Sequence, residues 1–292
     1  MKDLKGVFPA LLTPFTFDDK INEKALKALI KFNLEKGVNG FYVCGSTAEA
    51  FLLTLEERKN ILEIVKETVN EKAAIIAHIG CISTSQAVDL AKHAEKLKID
   101  AISSVAPFYF KFSFEEIMGY YDTITKQVDL PMLIYNFPGM SGVCFTEENI
   151  EEFMKNERII GIKHTSNDFF MLERIKNNFK NKIIYNGFDE MFLAGLAMGA
   201  DGGIGSTYNF MAEKFLLIKN YFDNGEIKSA QSIQNDANTI IKELIKMGVI
   251  PGIKEILNLL GFDFGYCRKP FKKVTAEESL VLKRIVLPLL NQ

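Results

Sequence analysis

The 292-residue chain has few residues of the types that form disulfides or metal centres. Its four cysteines, Cys44, Cys81, Cys144 and Cys267, lie far apart without a C-x-x-C pair, and the sequence has three histidines. Structural zinc sites need several cysteines or histidines at short, regular spacing, so this pattern argues against one. We interpret the cysteines as reduced, small apolar residues and expect neither a bound metal nor a cofactor.

Long hydrophobic runs and a strong charge of either sign are also missing. No apolar stretch approaches the roughly 20 residues of a membrane span, and the first residues lack the apolar segment of a signal peptide. The formal net charge is -2, with 48% hydrophobic and 25% charged residues, which is typical of a soluble globular protein. We therefore expect a cytoplasmic protein that binds neither nucleic acid nor a membrane.

Short apolar runs recur along much of the chain. Most are continuous rather than alternating, which is typical of parallel strands that are covered on both faces. The eight predicted strands are residues 7–12, 40–44, 74–79, 101–105, 132–135, 159–163, 183–185 and 202–204.

Helical patterns occupy several of the intervals between these strands. Thr54 with Glu57, and Ser113 with Glu116, match the capping box that opens a helix. Gly37 follows an apolar stripe at helical spacing and has the composition of a C-terminal cap. Strand and helix therefore alternate, which predicts an α/β protein with a parallel sheet.

Such a sheet is either an open, doubly wound sheet or a closed (β/α)8 TIM barrel. The count of eight strands favours the barrel. A nucleotide-binding open sheet would carry a glycine fingerprint after its first strand, and residues 13–17 contain no glycine.

The strand signals stop near residue 223. Three helices are predicted beyond it, at residues 226–247, 252–260 and 276–289, and Thr275 with Glu278 opens the last one. We therefore expect a catalytic (β/α)8 barrel over residues 1–223 and a C-terminal three-helix appendage over residues 224–292. Because no Pro/Ser-rich linker separates them, the appendage is expected to pack on the barrel.

Lys163 is the only charged residue in the otherwise apolar run of residues 159–165. Burial disfavours the ammonium form of a lysine and leaves neutral amine that can attack a carbonyl carbon and form a Schiff base. The alternative is a lysine at a strand end whose amine reaches water. Catalytic side chains of barrels project from the carboxyl ends of strands, and polar segments follow five of the predicted strands. These segments are residues 45–49, 135–138, 163–165, 187–190 and 205–207.

Three of the segments carry motifs in a familiar order. They are G-S-T-x-E at residues 45–49, Y-N-x-P at 135–138 and G-I-K-x-T at 161–165. With these motifs the chain resembles, over nearly its whole length, the N-acetylneuraminate lyase and dihydrodipicolinate synthase family. The resemblance implies class I aldolase chemistry on a pyruvate unit, in which Lys163 forms the Schiff base with the keto carbon and Tyr135 moves the proton.

The resemblance implies further site residues. Ser46 and Thr47 would bind the carboxylate of the pyruvate unit through backbone amides and hydroxyls. Tyr109 matches the tyrosine that family members insert into the site of a neighbouring subunit, where it would join Ser46 and the tyrosine of strand five in a proton relay. This implies at least a dimer and commonly a homotetramer, although an ordinary loop contact is the alternative for Tyr109. Ile204 and Gly205 would line the pyruvate pocket through their backbone.

The sugar specificity depends on residues around this centre. Synthases that use aspartate semialdehyde carry an arginine two residues after the proline of Y-N-x-P, and here Met140 stands there without a charge. The residues after strand seven, with Ser206, instead resemble the lyase pattern for the hydroxyls of a polyol. The predicted polyol-binding residues are Thr165, Gly187, Asp189, Glu190 and Ser206. For Asp189 an N-cap of the following helix is the alternative, and both roles can coexist.

The resemblance therefore implies reversible cleavage of N-acetylneuraminate, a sialic acid, to N-acetylmannosamine and pyruvate. One departure is Ala48, which replaces the usual glycine of the G-S-T-x-E loop and would be strained if its φ were positive. Glu49 is interpreted as a support of the loop. Three alternatives stay open: a family aldolase for a 2-keto-3-deoxy sugar acid or aspartate semialdehyde, a phosphate-binding barrel built on the glycines of residues 199–205, and a non-catalytic member that binds pyruvate or a protein.

Overall fold

Eight parallel strands form one sheet that closes into a barrel in the computed structural model, which describes residues 2–290. The strands are β1 Gly6–Pro9, β2 Gly40–Val43, β3 Ala74–His78, β4 Ala101–Val105, β5 Met132–Asn136, β6 Ile159–His164, β7 Ile183–Asn186 and β8 Gly202–Gly205. Their order around the sheet is β1-β8-β7-β6-β5-β4-β3-β2, and a parallel bridge between Ala10 and Tyr42 joins β1 to β2. The predicted (β/α)8 barrel is confirmed.

The first strand is shorter than predicted. It ends at Pro9 rather than at residue 12, because the chain then leaves the β8 ladder for other partners. The N–H of Leu11 donates to the carbonyl of Tyr42 at 2.9 Å, and the N–H of Leu12 donates to the Asn209 side chain at 3.4 Å. A side chain thus replaces the neighbouring strand as the acceptor.

Helices surround the barrel and continue beyond it. They are α1 Glu23–Glu35, α2 Leu55–Val69, α3 Thr84–Lys96, α4 Phe114–Gln127, α5 Pro138–Ser141, α6 Glu147–Met154, α7 Phe169–Asn178, α8 Phe192–Ala197, α9 Tyr208–Asp223, α10 Ile227–Met247, α11 Val249–Leu259 and α12 Ala276–Leu290. The capping boxes predicted at Thr54 and Ser113 are present and open α2 and α4. Gly37 adopts a φ of +84° just beyond α1, as a C-terminal cap requires. None of these helices, over residues 2–290, is long and apolar enough to cross a membrane.

The inside of the barrel is packed with large side chains at its amino end. Phe8 and Tyr185 meet edge to face with ring centres 5.5 Å apart, and the Tyr185 hydroxyl donates to the carbonyl of Leu4. Alternate residues of each strand point inward, so these side chains fill the lower layers of the barrel. Because this end is closed, ligands can enter only at the carboxyl ends of the strands.

The glycines before and within β8 allow close packing. A Cβ on Gly202 would lie 1.9 Å from the carbonyl oxygen of Gly6, and a Cβ on Gly205 would lie 2.2 Å from Oδ1 of Asp189. Neither position has room for a side chain. The packing requirement explains these glycines without a phosphate site.

The C-terminal helices contact the barrel through polar as well as apolar groups. The Gln234 side chain of α10 accepts from the N–H of Leu193 at 3.0 Å and donates to the carbonyl of Asp189 at 3.1 Å. Asn238, one turn later, donates to the carbonyl of Glu190 at 3.0 Å. The predicted helices are present, with α11 beginning earlier, at Val249.

The treatment of residues 1–223 and 224–292 as two regions stays a prediction. Their outermost residues, Met1, Asn291 and Gln292, lie outside the described residues.

Candidate active site

The carboxyl ends of the strands open into a cavity of about 440 Å³. Parallel strands end at one rim of a barrel, so polar residues that are distant in the sequence meet there. Most of the predicted site residues line it, namely Ser46, Thr47, Tyr135, Lys163, Thr165, Gly187, Asp189, Glu190, Ile204 and Ser206. Tyr109 and Gly205 do not.

Lys163 stands near the end of β6, and the residue is 4% exposed. Its Nζ lies 4.1 Å from the ring centre of Tyr135 and 4.6 Å from that of Tyr42. Within residues 2–290 no carboxylate pairs with this amine, and aromatic faces surround it instead. The amine therefore faces the cavity without being held in an ion pair, and its burial does not fit a side chain extended into bulk water.

Tyr135 is placed beside Lys163 by the register of β5 and β6, in which the two residues are direct partners. Its ring stacks on Phe137 at 5.7 Å and meets the rings of Tyr42 and His78 edge to face at 6.0 and 5.9 Å. Aromatic contacts on several sides fix the plane of the ring. The phenol is thus positioned by packing next to the amine.

The segment after β2 forms a 3₁₀ turn over Ser46–Ala48. The side chains of Ser46 and Thr47 line the cavity, and among the described residues their hydroxyls bond to no protein atom. Donors without protein partners, on a tight turn at the end of a strand, form a suitable site for a carboxylate.

Ala48 causes no backbone strain. It belongs to the 3₁₀ turn, and the left-handed residue is the next one, Glu49, with φ 60° and ψ 35°. The carbonyl of Ala48 accepts from the Thr13 hydroxyl at 2.9 Å. The concern that a Cβ at residue 48 would strain the loop is therefore wrong, because the positive φ falls one position later.

Asp189 is buried on the turn after β7 and is bonded to the turn after β8. Its Oδ2 accepts from the N–H and the hydroxyl of Thr207, each at 2.7 Å, and from the Ser206 hydroxyl at 3.4 Å. Burial raises the pKa of Asp189 to about 6, although the Thr207 hydrogen bonds oppose the rise. The alternative of an N-cap is wrong, because this carboxylate bonds to the β8 turn and no side chain caps the 3₁₀ turn or helix that follows.

Thr165 and Glu190 present polar atoms on the same side of the cavity. The Thr165 hydroxyl is buried and has no partner among residues 2–290. It packs tightly against Gly187, where a Cβ would lie 1.8 Å from Thr165 Oγ1. Gly187 therefore contributes space rather than a contact of its own, while Thr165 and Glu190 contribute hydrogen-bonding groups.

Tyr109 lies outside the cavity and is 84% exposed, with a φ of +80°. It lines a separate groove of about 650 Å³ together with Phe110 and Met140. Met140, which is 75% exposed, lines both this groove and the site cavity. The groove and the cavity are therefore neighbours.

Two sets of residues in or near the site were not predicted. Residues 247–251 and Ile245 of the tail form an apolar wall of the cavity, and Phe271 with Lys272 lies at the same wall. His78 packs against Tyr135, and burial holds its pKa well below the usual value. The sequence predicts that the tail helices pack on the barrel, but it does not show which surface of the barrel they contact.

The arrangement combines a buried amine, a neighbouring phenol, free hydroxyl donors and carboxylates around one space. Within residues 2–290 no group of three or more histidine, cysteine, aspartate or glutamate side chains is arranged to hold a metal ion. The groups present suit covalent amine chemistry with proton transfer by the phenol.

Comparison with known proteins agrees with this geometry. The Dihydrodipicolinate synthetase family matches residues 3–288. An N-acetylneuraminate lyase of Rhizobium meliloti is 43% identical over 287 residues, covering 98% of this chain and 96% of that protein.

Solved structures are equally similar. The crystal structure of CdNal from Clostridium difficile in complex with mannosamine has a TM-score of 0.95 at 42% identity, covering 97% of this chain and 98% of that one. The N-acetylneuraminate lyase of Fusobacterium nucleatum complexed with pyruvate has a TM-score of 0.91 at 39% identity, covering 97% of each chain. With its fold, its motifs and these relatives, the chain belongs to the dihydrodipicolinate synthetase family.

Proposed function

We propose that this protein is an N-acetylneuraminate lyase, which reversibly cleaves N-acetylneuraminate to N-acetylmannosamine and pyruvate. The observation that carries the proposal is the buried Lys163 amine, 4.1 Å from the ring centre of Tyr135 and open to the cavity. A lysine so placed is suited to a class I aldolase, because a neutral amine next to a substrate carbonyl can form a Schiff base.

In the proposed reaction, Lys163 Nζ attacks the keto carbon of the sialic acid, and the carbonyl oxygen leaves as water. The protonated imine then accepts the electron pair of the breaking C–C bond. The enamine that results takes up a proton at carbon, and water hydrolyses the imine to release pyruvate and the free amine. No external oxidant or reductant is needed.

The proton of the substrate hydroxyl must leave as the C–C bond breaks. Tyr135 is the general base, since a phenol can both accept and donate a hydrogen bond. Ser46 continues the relay at the rim of the cavity. Tyr109 of a neighbouring subunit completes it, a role that its exposure in a single chain allows.

The carboxylate of the pyruvate unit binds at the turn after β2. Ser46 and Thr47 supply hydroxyl donors that have no protein partner in the described chain, together with their backbone N–H groups. The first turn of a strand-to-helix connection favours an anion because its N–H groups point outward.

The polyol chain binds on the opposite side. Thr165 and Glu190 bond sugar hydroxyls directly, whereas Gly187 leaves room for the chain. Asp189 is already bonded to Thr207, so it both holds the β8 turn and accepts one further hydroxyl. Ser206 lies on that turn and contributes its own hydroxyl.

A synthase that condenses pyruvate with aspartate semialdehyde is the weaker candidate. Its substrate has a second carboxylate, which favours a guanidinium at the position of Met140. Met140 carries no charge and is largely exposed.

The assembly is proposed to be a homotetramer whose subunits exchange Tyr109. The exposed aromatic groove around Tyr109 and Phe110 supports contact with a second copy of the chain. Size measurement by light scattering, with Tyr109→Ala as the variant, tests the assembly. A cytoplasmic location stays a prediction from the sequence.

The activity is tested by measuring pyruvate release from N-acetylneuraminate and from 2-keto-3-deoxy sugar acids, and pyruvate consumption in the presence of aspartate semialdehyde. We expect N-acetylneuraminate to be the preferred substrate. An inert sialic acid together with turnover of another keto acid would contradict the proposal but not the aldolase chemistry. If pyruvate and borohydride add no mass to Lys163, the chain is not a Schiff-base enzyme.

A further inference from the structure

The turn that carries Ser46 and Thr47 is bounded by two non-glycine residues in the left-handed conformation. Cys44 has a φ of 59° and Glu49 a φ of 60°. Such residues cost free energy and persist only where the surrounding structure holds them. The position of the turn therefore depends on what holds Cys44 and Glu49.

Cys44 is held by residues of the barrel strands. The carbonyl of Cys44 accepts from Nδ1 of His78 at 2.9 Å, and the N–H of Val105 donates to Nε2 of the same ring at 3.3 Å. The imidazole is thus neutral and bonded on both nitrogens. The amino side of the turn is fixed from within the barrel.

Residues of the C-terminal tail hold Glu49, at the other end of the turn. The carboxylate of Glu49 pairs with Nζ of Lys254 at 2.5 Å, and its other oxygen accepts from the N–H of Arg268 at 2.7 Å. The side chains of Glu49 and Lys254 are 0% and 1% exposed. Each carboxylate oxygen of Glu49 therefore has a partner from the tail.

Further contacts hold the Lys254 side chain in this position. Its Nζ also donates to the carbonyl of Tyr266 at 3.2 Å and lies 4.3 Å from the ring centre of Phe15. It stands on α11, whose first residues form the apolar wall of the site cavity. One helix therefore contacts both the substrate cavity and the turn that binds the carboxylate.

Stability alone does not explain a buried pair of this kind. Removing two charges from water is costly, and well-packed apolar residues of the same volume often give equal or greater stability. A carboxylate held at both oxygens does, however, restrict the direction of its own backbone. This restriction acts one residue from the turn, because Glu49 directly follows Ser46–Ala48.

We propose that Lys254 is a positioning residue for pyruvate, which through Glu49 holds the backbone and hydroxyl donors of Ser46 and Thr47 in the geometry that binds the substrate carboxylate. This inference rests on the proposed function. Lys254 does not line the cavity, so its effect on the substrate is exerted only through the turn.

The test compares two ligands of Lys163 that differ in the carboxylate. Pyruvate carries the anion, whereas methyl pyruvate has the same keto group without the charge. The concentration that gives half-maximal borohydride trapping is measured by mass spectrometry for each. For Lys254→Met we expect this concentration to rise about tenfold or more for pyruvate and to stay within about twofold for methyl pyruvate, because only the anion uses the aligned donors.

Lys176→Met is the matched control. Lys176 pairs with the largely buried Asp201 at 2.7 Å, just before β8 at the closed end of the barrel. Its loss removes an ion pair of a buried carboxylate without touching the turn, and Asp201 keeps Lys5 at 3.2 Å as a second partner. We expect this variant to be less stable but to trap both ligands as the unaltered protein does.

A second variant covers the case in which Lys254→Met fails to fold. The double variant Glu49→Gln with Lys254→Met leaves no unpaired buried charge, so we expect it to fold. Its half-maximal trapping concentration should still rise for pyruvate and stay nearly unchanged for methyl pyruvate. Failure of both variants to fold would mean that the pair maintains the whole structure, which would count against a specific positioning role.

Other outcomes also decide the matter. An equal loss of both ligands, or no loss of pyruvate, would overturn the role of Lys254 while leaving the lyase proposal intact. If the unaltered protein traps no pyruvate, the proposed function fails first, and the positioning role falls with it.

Discussion

On the Lys163 side of the cavity the functional groups stand on barrel strands or on the first turn after them, and aromatic rings pack around them. On the Asp189 side, Asp189, Glu190 and Ser206 stand on the turns after β7 and β8, and hydrogen bonds from α10 support the first of these two turns. The first arrangement is suited to chemistry that every substrate shares. The second can vary without disturbing the strands, so it is suited to selecting the sugar.

The two sides also differ in how their charges are handled. The Lys163 amine has no carboxylate partner in the described chain, whereas Asp189 is bonded to Thr207 twice. An amine held in an ion pair would be unavailable for attack on a carbonyl. A carboxylate that anchors a turn can still accept a hydroxyl. In the proposed reaction the free amine of Lys163 reacts, and the bonded carboxylate of Asp189 positions the sugar.

The largest effect is expected from Lys163→Met. Removing the nucleophile should lower kcat/KM for N-acetylneuraminate by at least about 10³-fold, since the other lysine that lines the cavity, Lys272, pairs with Glu278. Pyruvate release and borohydride trapping measure it. Lys214→Met, another buried lysine outside the cavity, is the control. Trapping that survives in Lys163→Met would place the nucleophile elsewhere.

Tyr135→Phe tests the proton transfer separately from imine formation. The variant keeps the ring contacts but loses the hydroxyl, so kcat should fall by about 10² or more while pyruvate is still trapped on Lys163. Tyr121→Phe removes a buried hydroxyl that donates to Ser104 and should leave kcat unchanged. A normal kcat in Tyr135→Phe would refute the role of the phenol.

Gly187→Ala probes the sugar side alone. Its Cβ would meet Thr165 Oγ1 at 1.8 Å, so Thr165 must move. We expect KM for N-acetylneuraminate to rise by about 10- to 100-fold, because small misplacements of a binding group are costly. Half-maximal trapping of pyruvate should not change. Gly119→Ala on α4, where a Cβ meets no atom within 4 Å, is the control. A parallel loss of pyruvate binding would show that the two sides are not independent.

Asp189→Asn should have the smallest catalytic effect, a rise in KM of about tenfold or less, because the amide oxygen can still accept from Thr207. Its effect on stability depends on pH. Burial raises the pKa of Asp189 from 3.8 to about 6, so this group contributes stability that is full below about pH 4 and is lost as the pH rises through 6.

At pH 7 the ionised carboxylate therefore costs the fold about 3 kcal/mol. We expect Asp189→Asn to be at least as stable as the unaltered protein at pH 7. Acidification to pH 4 should raise its free energy of unfolding less than it raises that of the unaltered protein. Urea unfolding at the two pH values measures the difference. An unchanged pH dependence would mean that Asp189 titrates normally in the fold.

Much of the fold was predictable because its signals are local. Continuous apolar runs mark buried parallel strands, and the capping boxes at Thr54 and Ser113 mark helix starts. The end of β1 was predicted too late, since its last apolar residues bond to Tyr42 and Asn209 rather than to β8. Such a change of partner leaves no trace in the pattern of hydrophobic residues.

Site residues that lie at strand ends were predictable from the sequence. Contacts that hold the site together from positions far away in the chain were missed. Lys163, Tyr135 and Ser46 sit at strand ends and meet at the rim. The N-cap alternative for Asp189 was reasonable from its neighbours in the chain, but its partner is Thr207, across the barrel mouth. Lys254 shows no local signal, because its partner lies about two hundred residues earlier, in the turn after β2.

The sequence by itself determined the barrel and the strand ends that bring Lys163, Tyr135 and Ser46 to one rim, since these follow from periodicity and residue type. Through the family resemblance of its short motifs it also indicated Lys163 as the candidate reactive lysine. Only the tertiary structure decided which groups are free and which are already bonded. That distinction depends on contacts between residues far apart in the chain. Such contacts place the exposed Tyr109 outside the cavity, put the positive φ at Glu49 rather than at Ala48 and bond Asp189 to the β8 turn. They also join the tail to the turn after β2 through Lys254 and Glu49.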